Sequence, residues 1–271
     1  MSGRLLEKHY PSVYIHFTYD KNFDQSLFEK HVHDFYELIY VLRGNGQYIV
    51  EGTKYELRPG TLSIFRPGEY HSVTVESGSE YERCVIHFSA ETLGKDAELL
   101  LADFKKAPFG QGNFYSEKEL TPDIHRIFER LRASFSLPES KADALVRLLI
   151  GELLVSLSVM LPLSPNEADT LGARAIRYLG KHIAEPLSLD SLSKQLLTSK
   201  FHLCRAFKQY NGISIQQYIV EKRVMLAKER IAEGMKPAEA AFSVGFSNYS
   251  SFYRAYKKLT GHSPKSERKS V

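Results

Sequence analysis

The sequence predicts an α+β protein of two domains: an N-terminal β-barrel or sandwich with a helical pair, then an all-α C-terminal domain holding two helix-turn-helix units. Three observations predict it. Residues 14–90 run as short apolar–polar alternations separated by Gly, Pro and Asn, the pattern of half-buried strands. Residues 199–215 recur, with five identities, as residues 248–264. Charge also divides: residues 1–173 carry 18 Lys and Arg against 25 Asp and Glu, a net −7, whereas Arg174 onward carries 18 against 7, a net +11. A small basic domain joined to an acidic one points to a polyanionic partner for the C-terminal part.

Composition narrows the classes. At 271 residues, 43% hydrophobic and 25% charged, the chain has material for two cores. Its cysteines, Cys84 and Cys204, stand 120 positions apart with no CxxC, which disfavours a disulfide framework or zinc finger and suits a reducing cytosol. The opening MSGRLLEKHYPSVYIHF has no continuous apolar core of a signal peptide. The longest apolar stretch, Leu145 to Leu163, is interrupted by Arg147, Gly151 and Glu152 and is too polar to span a bilayer. The expectation is a cytoplasmic protein with no membrane partner.

The N-terminal strand runs, YELIYVL, GQYIVE, TLSIF and ERCVIHF, have the even spacing of a barrel or sandwich. His31, His33 and Glu37 share strand parity, so one face can present all three. His87, on the last run, reads as a core or pocket histidine. The stretch from His31 to Gly44 looks like the cupin pattern H-x-H-x3-E-x6-G, and Pro67 to His71 resembles its P-G-x-x-H. Val75 stands where an asparagine is usual. The resemblance implies a cupin-like ligand-sensing domain over residues 1–115, with His31, His33, Glu37 and His71 as ligand-binding residues. The same four side chains suit a divalent Mn, Fe or Zn ion. The expectation is instead that they line a pocket and hydrogen-bond a polyol or one another, with no cofactor and no catalytic residue.

Residues 116–161 read as two helices. In TPDIHRIFERLRASF, Ile124, Ile127, Phe128 and Leu131 share a face; in KADALVRLLIGELLVSLSVML, leucines occupy nearly every side. That exceeds what packing on one barrel requires. The segment LPLSPNEADTLG, rich in Pro, Ser and acids, reads as a linker over 162–172.

The C-terminal domain, 173–271, contains the repeat. A shift of 49 residues superposes Arg205 on Arg254, Ala206 on Ala255, Lys208 on Lys257, Gly212 on Gly261 and Ser214 on Ser263. Each copy reads as a helix stopped by glycine, with Leu203, Ala206, Phe207 and Tyr210 inward in the first, and Phe252, Ala255, Tyr256 and Leu259 in the second. A short helix precedes each, capped by Ser188 or begun by Pro237, with turns expected at Thr198-Ser199 and at Gly245. These are helix-turn-helix units at about 189–211 and 236–260, whose second helices carry polar, basic outer faces. Between them a helix over 214–232, with Ile215, Ile219, Val220, Val224, Ala227 and Ile231 on its apolar side, spans ~28 Å, near the ~34 Å between successive major-groove faces.

The run from Ser199 through Ile231, with the ending VGFSNYSSFYRAYKKLTGHSP, closely resembles the DNA-binding domain of the AraC/XylS family over about Arg174 to Arg268. The matching motifs are S-x-x-x-L-x-R-x-F-K, G-x-S-x-x-x-Y-I, R-x-x-x-A-K and G-F-x-x-x-S-x-F-x-R-x-[FY]-K-x-x-x-G-x-x-P. The resemblance implies contacts to double-stranded DNA from Phe201, Cys204 and Arg205, and from Tyr249, Ser250, Ser251 and Arg254. Ser199, Lys200, Lys208 and Lys257 complete the candidate DNA-binding set. Pro237 and Ala240 replace the family's usual isoleucines, implying looser packing of the second unit, and Arg230 stands where leucine is common.

Family resemblance further implies a transcription regulator, mostly of the activator kind and no enzyme. It implies a small-molecule effector such as a sugar, a homodimer formed through the helices of 116–161, and RNA polymerase as a further partner. Two alternatives compete: a metal-dependent cupin enzyme tethered to DNA, and a dimeric regulator with no ligand.

Overall fold

The computed structural model describes residues 6–21, 30–76, 78–112, 114–118, 120–160, 162 and 170–266. The chain divides into two compact units, residues 1–166 and 167–271, each described by itself.

The first unit is an antiparallel β structure closed on one side by helices, in keeping with the predicted class. Its strands are β1 (Leu6–His9), β2 (Val13–Asp20), β3 (Tyr36–Arg43), β4 (Gly46–Val50), β5 (Thr53–Leu57), β6 (Leu62–Phe65), β7 (His71–Val75), β8 (Tyr81–Phe88) and β9 (Phe114–Tyr115). Among the described residues one sheet runs β1-β2-β8-β3-β6-β9 and a second β5-β4-β7. Strand alternation divides the side chains between two cores. Ile39, Val41 and Val85 of the first sheet meet Tyr48, Val50, Tyr55, Leu57, Val73 and Val75 of the second. The other face of the first sheet, with Ile15, Leu38, Ile64 and Ile86, is covered by α1 (Ala97–Lys106), α2 (Pro122–Ala133) and α3 (Glu139–Ser158).

Helix α3 buries Ala142, Val146, Leu149, Ile150, Leu153, Leu154 and Leu157. Leu148 and Val155, with Val159 just beyond, stay 72%, 53% and 82% exposed. Leu149, Leu153, Leu154 and Leu157 thus share the buried face, and one leucine, Leu148, joins the two valines on the surface. No helix among the described residues is long and apolar enough to cross a membrane.

The second unit is all helical: α4 (Leu171–His182), α5 (Leu189–Gln195), α6 (Lys200–Asn211), α7 (Ile215–Ala232), α8 (Pro237–Ser243) and α9 (Tyr249–Thr260). Helix α4 starts inside the stretch read as linker, because the Thr170 hydroxyl accepts from Ala173 N and caps it. Of that stretch, 163–169 lies outside the described residues.

Caps set the boundaries that follow. The hydroxyls of Ser188, Ser199 and Ser214 accept from the third residue of α5, α6 and α7, and the Asn248 amide oxygen does the same for α9. Gly212 and Gly261, both at φ 79°, stop α6 and α9.

The two units of the repeat differ by one residue in the turn. Their second helices correspond at the 49-residue shift, from the N-caps Ser199 and Asn248 to Gly212 and Gly261. Their first helices correspond at 48, from Ser188 and Lys236 to the C-caps Leu196 and Val244. Leu197-Thr198 thus faces Gly245-Phe246-Ser247. The first turn comes earlier than Thr198-Ser199: it is closed by Thr198 N donating to Ser193 O, as Phe246 N donates to Ala241 O in the second. Leu197 has the left-handed φ of 51° that Gly245 adopts at 94°.

Two further expectations change. Helix α7 buries Ile215, Tyr218, Lys222, Val224, Ala227 and Ile231, while Ile219 and Val220 are half-buried. It lies between two helical clusters, so its buried side rotates along its length. The second helix-turn-helix buries its small residues rather than leaving them at the surface. Ala240, Ala241, Val244, Phe252 and Tyr256 are fully buried with Val224 and Ala227.

Candidate ligand site and nucleic-acid interface

In the first unit, four of the residues singled out by the sequence converge. Glu37 lies on β3. His31 precedes it and forms an isolated antiparallel bridge with His71 at the start of β7, through His31 N to His71 O and His71 N to His31 O. The potential ligand atoms of His31, His33, Glu37 and His71 all lie within 4.8 Å of one another. His33 stacks on Phe35 at 3.9 Å and His71 on Phe65 at 4.2 Å.

Backbone carbonyls decide which ring nitrogens carry protons. His33 Nδ1 lies 3.0 Å from Phe35 O and His71 Nδ1 2.9 Å from Glu69 O. A carbonyl only accepts, so both Nδ1 atoms are donors. The Nε2 atoms of His33 and His71 then face the same oxygen, Glu37 Oε2, at 3.4 and 3.0 Å. A nitrogen lone pair opposite a carboxylate is repulsive, so this arrangement calls for positive charge between the groups, as imidazolium protons or as a cation. Burial pushes the Glu37 carboxyl up, but hydrogen bonds from His33, His71 and His87 outweigh it and hold the group well below the usual range.

The sequence reading missed His87 as a member of this group. Its Nε2 donates to Glu37 Oε1 at 2.7 Å, because β8 places His87 opposite both Glu37 of β3 and Tyr14 of β2. His16, in edge contact with His87 at 5.8 Å, extends the row. Burial, then the charges of His87 and Arg83, push its pKa down to about 4. The loop leading into His71 is held by a buried ion pair. Arg66 bonds to Glu69 and to the carbonyls of Phe104, Ala107 and Pro108, while Glu69 also accepts from Arg66 N and Gly110 N.

In the second unit, α6 and α9 present the candidate DNA-binding side chains unevenly. Phe201 is 79% exposed; Arg205, Lys208, Ser250, Arg254 and Lys257 are exposed, and Cys204 is half-buried. Lys200 Nζ is paired with Asp190 Oδ1 at 2.6 Å, and Ser199 is spent as a cap. Tyr249 and Ser251 are half-buried. The Tyr249 ring packs near Phe252 and Tyr253, and Ser251 N donates to the Asn248 cap. The outward pairs shared by both copies are Arg205 with Arg254 and Lys208 with Lys257.

A β structure with an inward polar cluster, followed in the same chain by two helix-turn-helix units with basic outer faces, defines a DNA-binding transcription regulator with its own ligand-binding domain. Residues 14–158 match the model of the AraC-like ligand binding domain, and residues 192–270 that of a helix-turn-helix domain. The chain belongs to the AraC family of transcription regulators.

The HTH-type transcriptional regulator YbfI of Bacillus subtilis strain 168 is 27% identical over 225 residues, 82% of this chain and 80% of that protein. The HTH-type transcriptional activator RhaR of Escherichia coli O139:H28 is 24% identical over 247 residues, 89% and 87% of the two chains. Among solved structures, the C-terminal domain of AraT, a response regulator from Geobacillus stearothermophilus, is 31% identical, covers 37% of this chain and 85% of its own, and has a TM-score of 0.36.

Proposed function

We propose that this regulator is a cytoplasmic, non-enzymatic transcription activator that reads two stretches of duplex DNA with α6 and α9 and is gated by a small polar molecule at His31, His33, Glu37 and His71. The observation that carries the reading is the convergence of those four side chains in a chain whose two recognition helices expose equivalent arginines. Arg205 and Arg254 read bases, with Phe201, Cys204 and Ser250 beside them. Lys208 and Lys257 contact phosphate, and Ser199, Lys200, Tyr249 and Ser251 order the helix N-termini that meet the backbone. Imidazole and carboxylate groups of this density suit the hydroxyls of a carbohydrate, whose binding favours one of two states with different DNA affinity.

The apolar strip Leu148, Val155 and Val159 supports a homodimer through α3. The activator name of one relative, together with the family, supports contact with RNA polymerase. A thermal-shift screen with sugars and sugar acids, followed by binding to selected duplexes with and without the best compound, tests the gating. If no compound raises the melting temperature or changes DNA affinity, the ligand-free reading replaces it.

One observation favours a second occupant of the same site. His33 and His71 each turn Nε2 toward Glu37 Oε2 while donating Nδ1–H to a backbone carbonyl, the orientation that metal-ligating histidines share. A divalent ion held by His31, His33, Glu37 and His71 would offer an effector a charged anchor for hydroxyl or carboxylate oxygens. Elemental analysis of the purified protein decides it. Below about a tenth of an equivalent, the hydrogen-bonding site stands alone.

A further inference from the structure

Arg223 lies at the seam between the two helix-turn-helix units. Before it, α7 belongs to the first helix-turn-helix: Tyr218 meets Phe207 of α6 at 5.4 Å between ring centres. After it, Val224, Ala227 and Ile231 belong to the core of the second. From this position the guanidinium donates to three carbonyls. Nε reaches Ile183 O at 2.9 Å and Nη2 reaches Glu185 O at 2.7 Å. Both acceptors lie just past α4, where a helix end leaves carbonyls without partners. Nη1 reaches Gly245 O at 2.6 Å, in the turn between α8 and α9.

We propose that Arg223 is the positioning residue that sets the separation and phase of α6 and α9, and with them the spacing at which the protein accepts two half-sites on DNA. This rests on reading α6 and α9 as the recognition helices. A guanidinium is planar and its donors are fixed relative to one another, so three bonds hold both acceptor segments in one geometry. Burial lowers the pKa of Arg223, and among the described residues no carboxylate pairs with it. A half-buried cation without a counter-ion is costly, and its bonds all join backbone segments of the two units.

The opposite wall of the seam is fitted to it. Gly245 has φ +94°, and a Cβ there would stand 2.8 Å from Arg223 Cζ and Nη2 and 2.9 Å from Ala184 O. A side chain at 245 would crowd the guanidinium and the Ala184 carbonyl together, so the contact cannot stay as it is.

The full-length wild-type protein is used to select duplexes from a random-sequence pool, giving a site of two parts. Affinity is then measured for that site and for versions with one base pair inserted or removed between the parts. One base pair moves the second half-site by about 3.4 Å and rotates it by roughly 35°. Wild type is expected to lose about tenfold or more on such a change. Arg223→Gln should bind the selected site about tenfold more weakly, with the spacing penalty reduced to less than about threefold.

Arg223→Lys, which keeps the charge without the fork, and Gly245→Ala, which crowds the guanidinium, should both relax the spacing. They carry the test if Arg223→Gln melts below the assay temperature. A merely structural residue would lower affinity equally at every spacing. Variants that keep the wild-type penalty overturn the assignment of Arg223 alone. A wild-type protein that selects a single-part site, or none, overturns it together with the reading of two recognition helices.

Discussion

His87 and Glu37 sit directly opposite one another on β8 and β3, joined by a 2.7 Å hydrogen bond from Nε2 to Oε1. The bond leaves Oε2 of the same carboxylate turned toward His33 and His71. The cluster is thus oriented from behind by a strand that contributes nothing to the H-x-H-x3-E pattern.

Replacing His87 by alanine is expected to destabilise the first unit by about 1–3 kcal/mol, the cost of a buried charged acceptor losing a partner. It should also weaken binding of a ligand or metal at the cluster by about tenfold, through loss of orientation. Denaturant melts and isothermal titration read the two effects separately. An unchanged affinity would make the bond purely structural.

The Arg66–Glu69 pair predicts an acid limit for the same unit. Burial raises the Glu69 carboxyl, but the charge and bonds of Arg66 and the amides of Arg66 and Gly110 leave it lowered. A folded-state pKa below the unfolded value, about 4.3, stabilises the fold fully above that pH and loses the contribution as pH falls through the folded value. Glu69→Gln should flatten this acid dependence and cost about 3–5 kcal/mol at neutral pH, because it strands a buried guanidinium. Urea titrations across pH 3–7 test it.

Leu197 combines a left-handed backbone with a side chain 93% exposed. The second helix-turn-helix uses Gly245 at the same point. Leu197→Gly is expected to stabilise the second unit by about 0.5–1 kcal/mol, relief of the left-handed strain exceeding the entropy glycine adds to the unfolded chain. A lower midpoint in thermal melts would show that Leu197 is held by something other than the turn.

Arg205→Ala and Arg254→Ala should each weaken binding to a selected duplex by about 1–3 kcal/mol and relax preference at a few base positions. Lys208→Ala and Lys257→Ala should weaken all duplexes alike and reduce the slope of log K against log salt by about 1 each. Gel-shift titrations at several salt concentrations separate the two classes. Both arginine variants at wild-type affinity would remove them from the base-reading role.

Leu148→Glu and Val155→Glu place charges on the uncovered strip of α3. Sedimentation of the full chain should show a dimer for wild type and a monomer for either variant, with unchanged melting of the first unit. A wild-type monomer at tens of micromolar would end the role proposed for this helix.

Local chemistry was legible in the sequence and long-range pairing was not. Ser188, Ser214 and Pro237 begin helices, and Gly212 and Gly261 end them, because each acts within four residues of itself. His31, His33, Glu37 and His71 were readable as a motif. His87 was not readable as a partner of Glu37, since 50 positions separate them and only the β3–β8 register brings them together. Arg223 was readable as the arginine of R-x-x-x-A-K but its contacts were not, for a related reason: its acceptors are carbonyl oxygens, which every residue carries. The buried side of α7 was misplaced toward Ile219 and Val220 because apolar periodicity assumes one partner surface. Tyr218 and Lys222 instead pack together, with the Lys222 ammonium 5.1 Å from the Tyr218 ring centre.

The single extra residue between α8 and α9 limits how the protein can be recombined. From N-cap to glycine stop, α6 and α9 are cassettes of equal length with matching ends, Ser199 to Gly212 and Asn248 to Gly261. Specificity is therefore transferable between the two positions, or from a related regulator, only by cuts made at those ends. A graft that includes the turn would import a connection one residue too short or too long. The added helix would then arrive out of step with the scaffold that holds it.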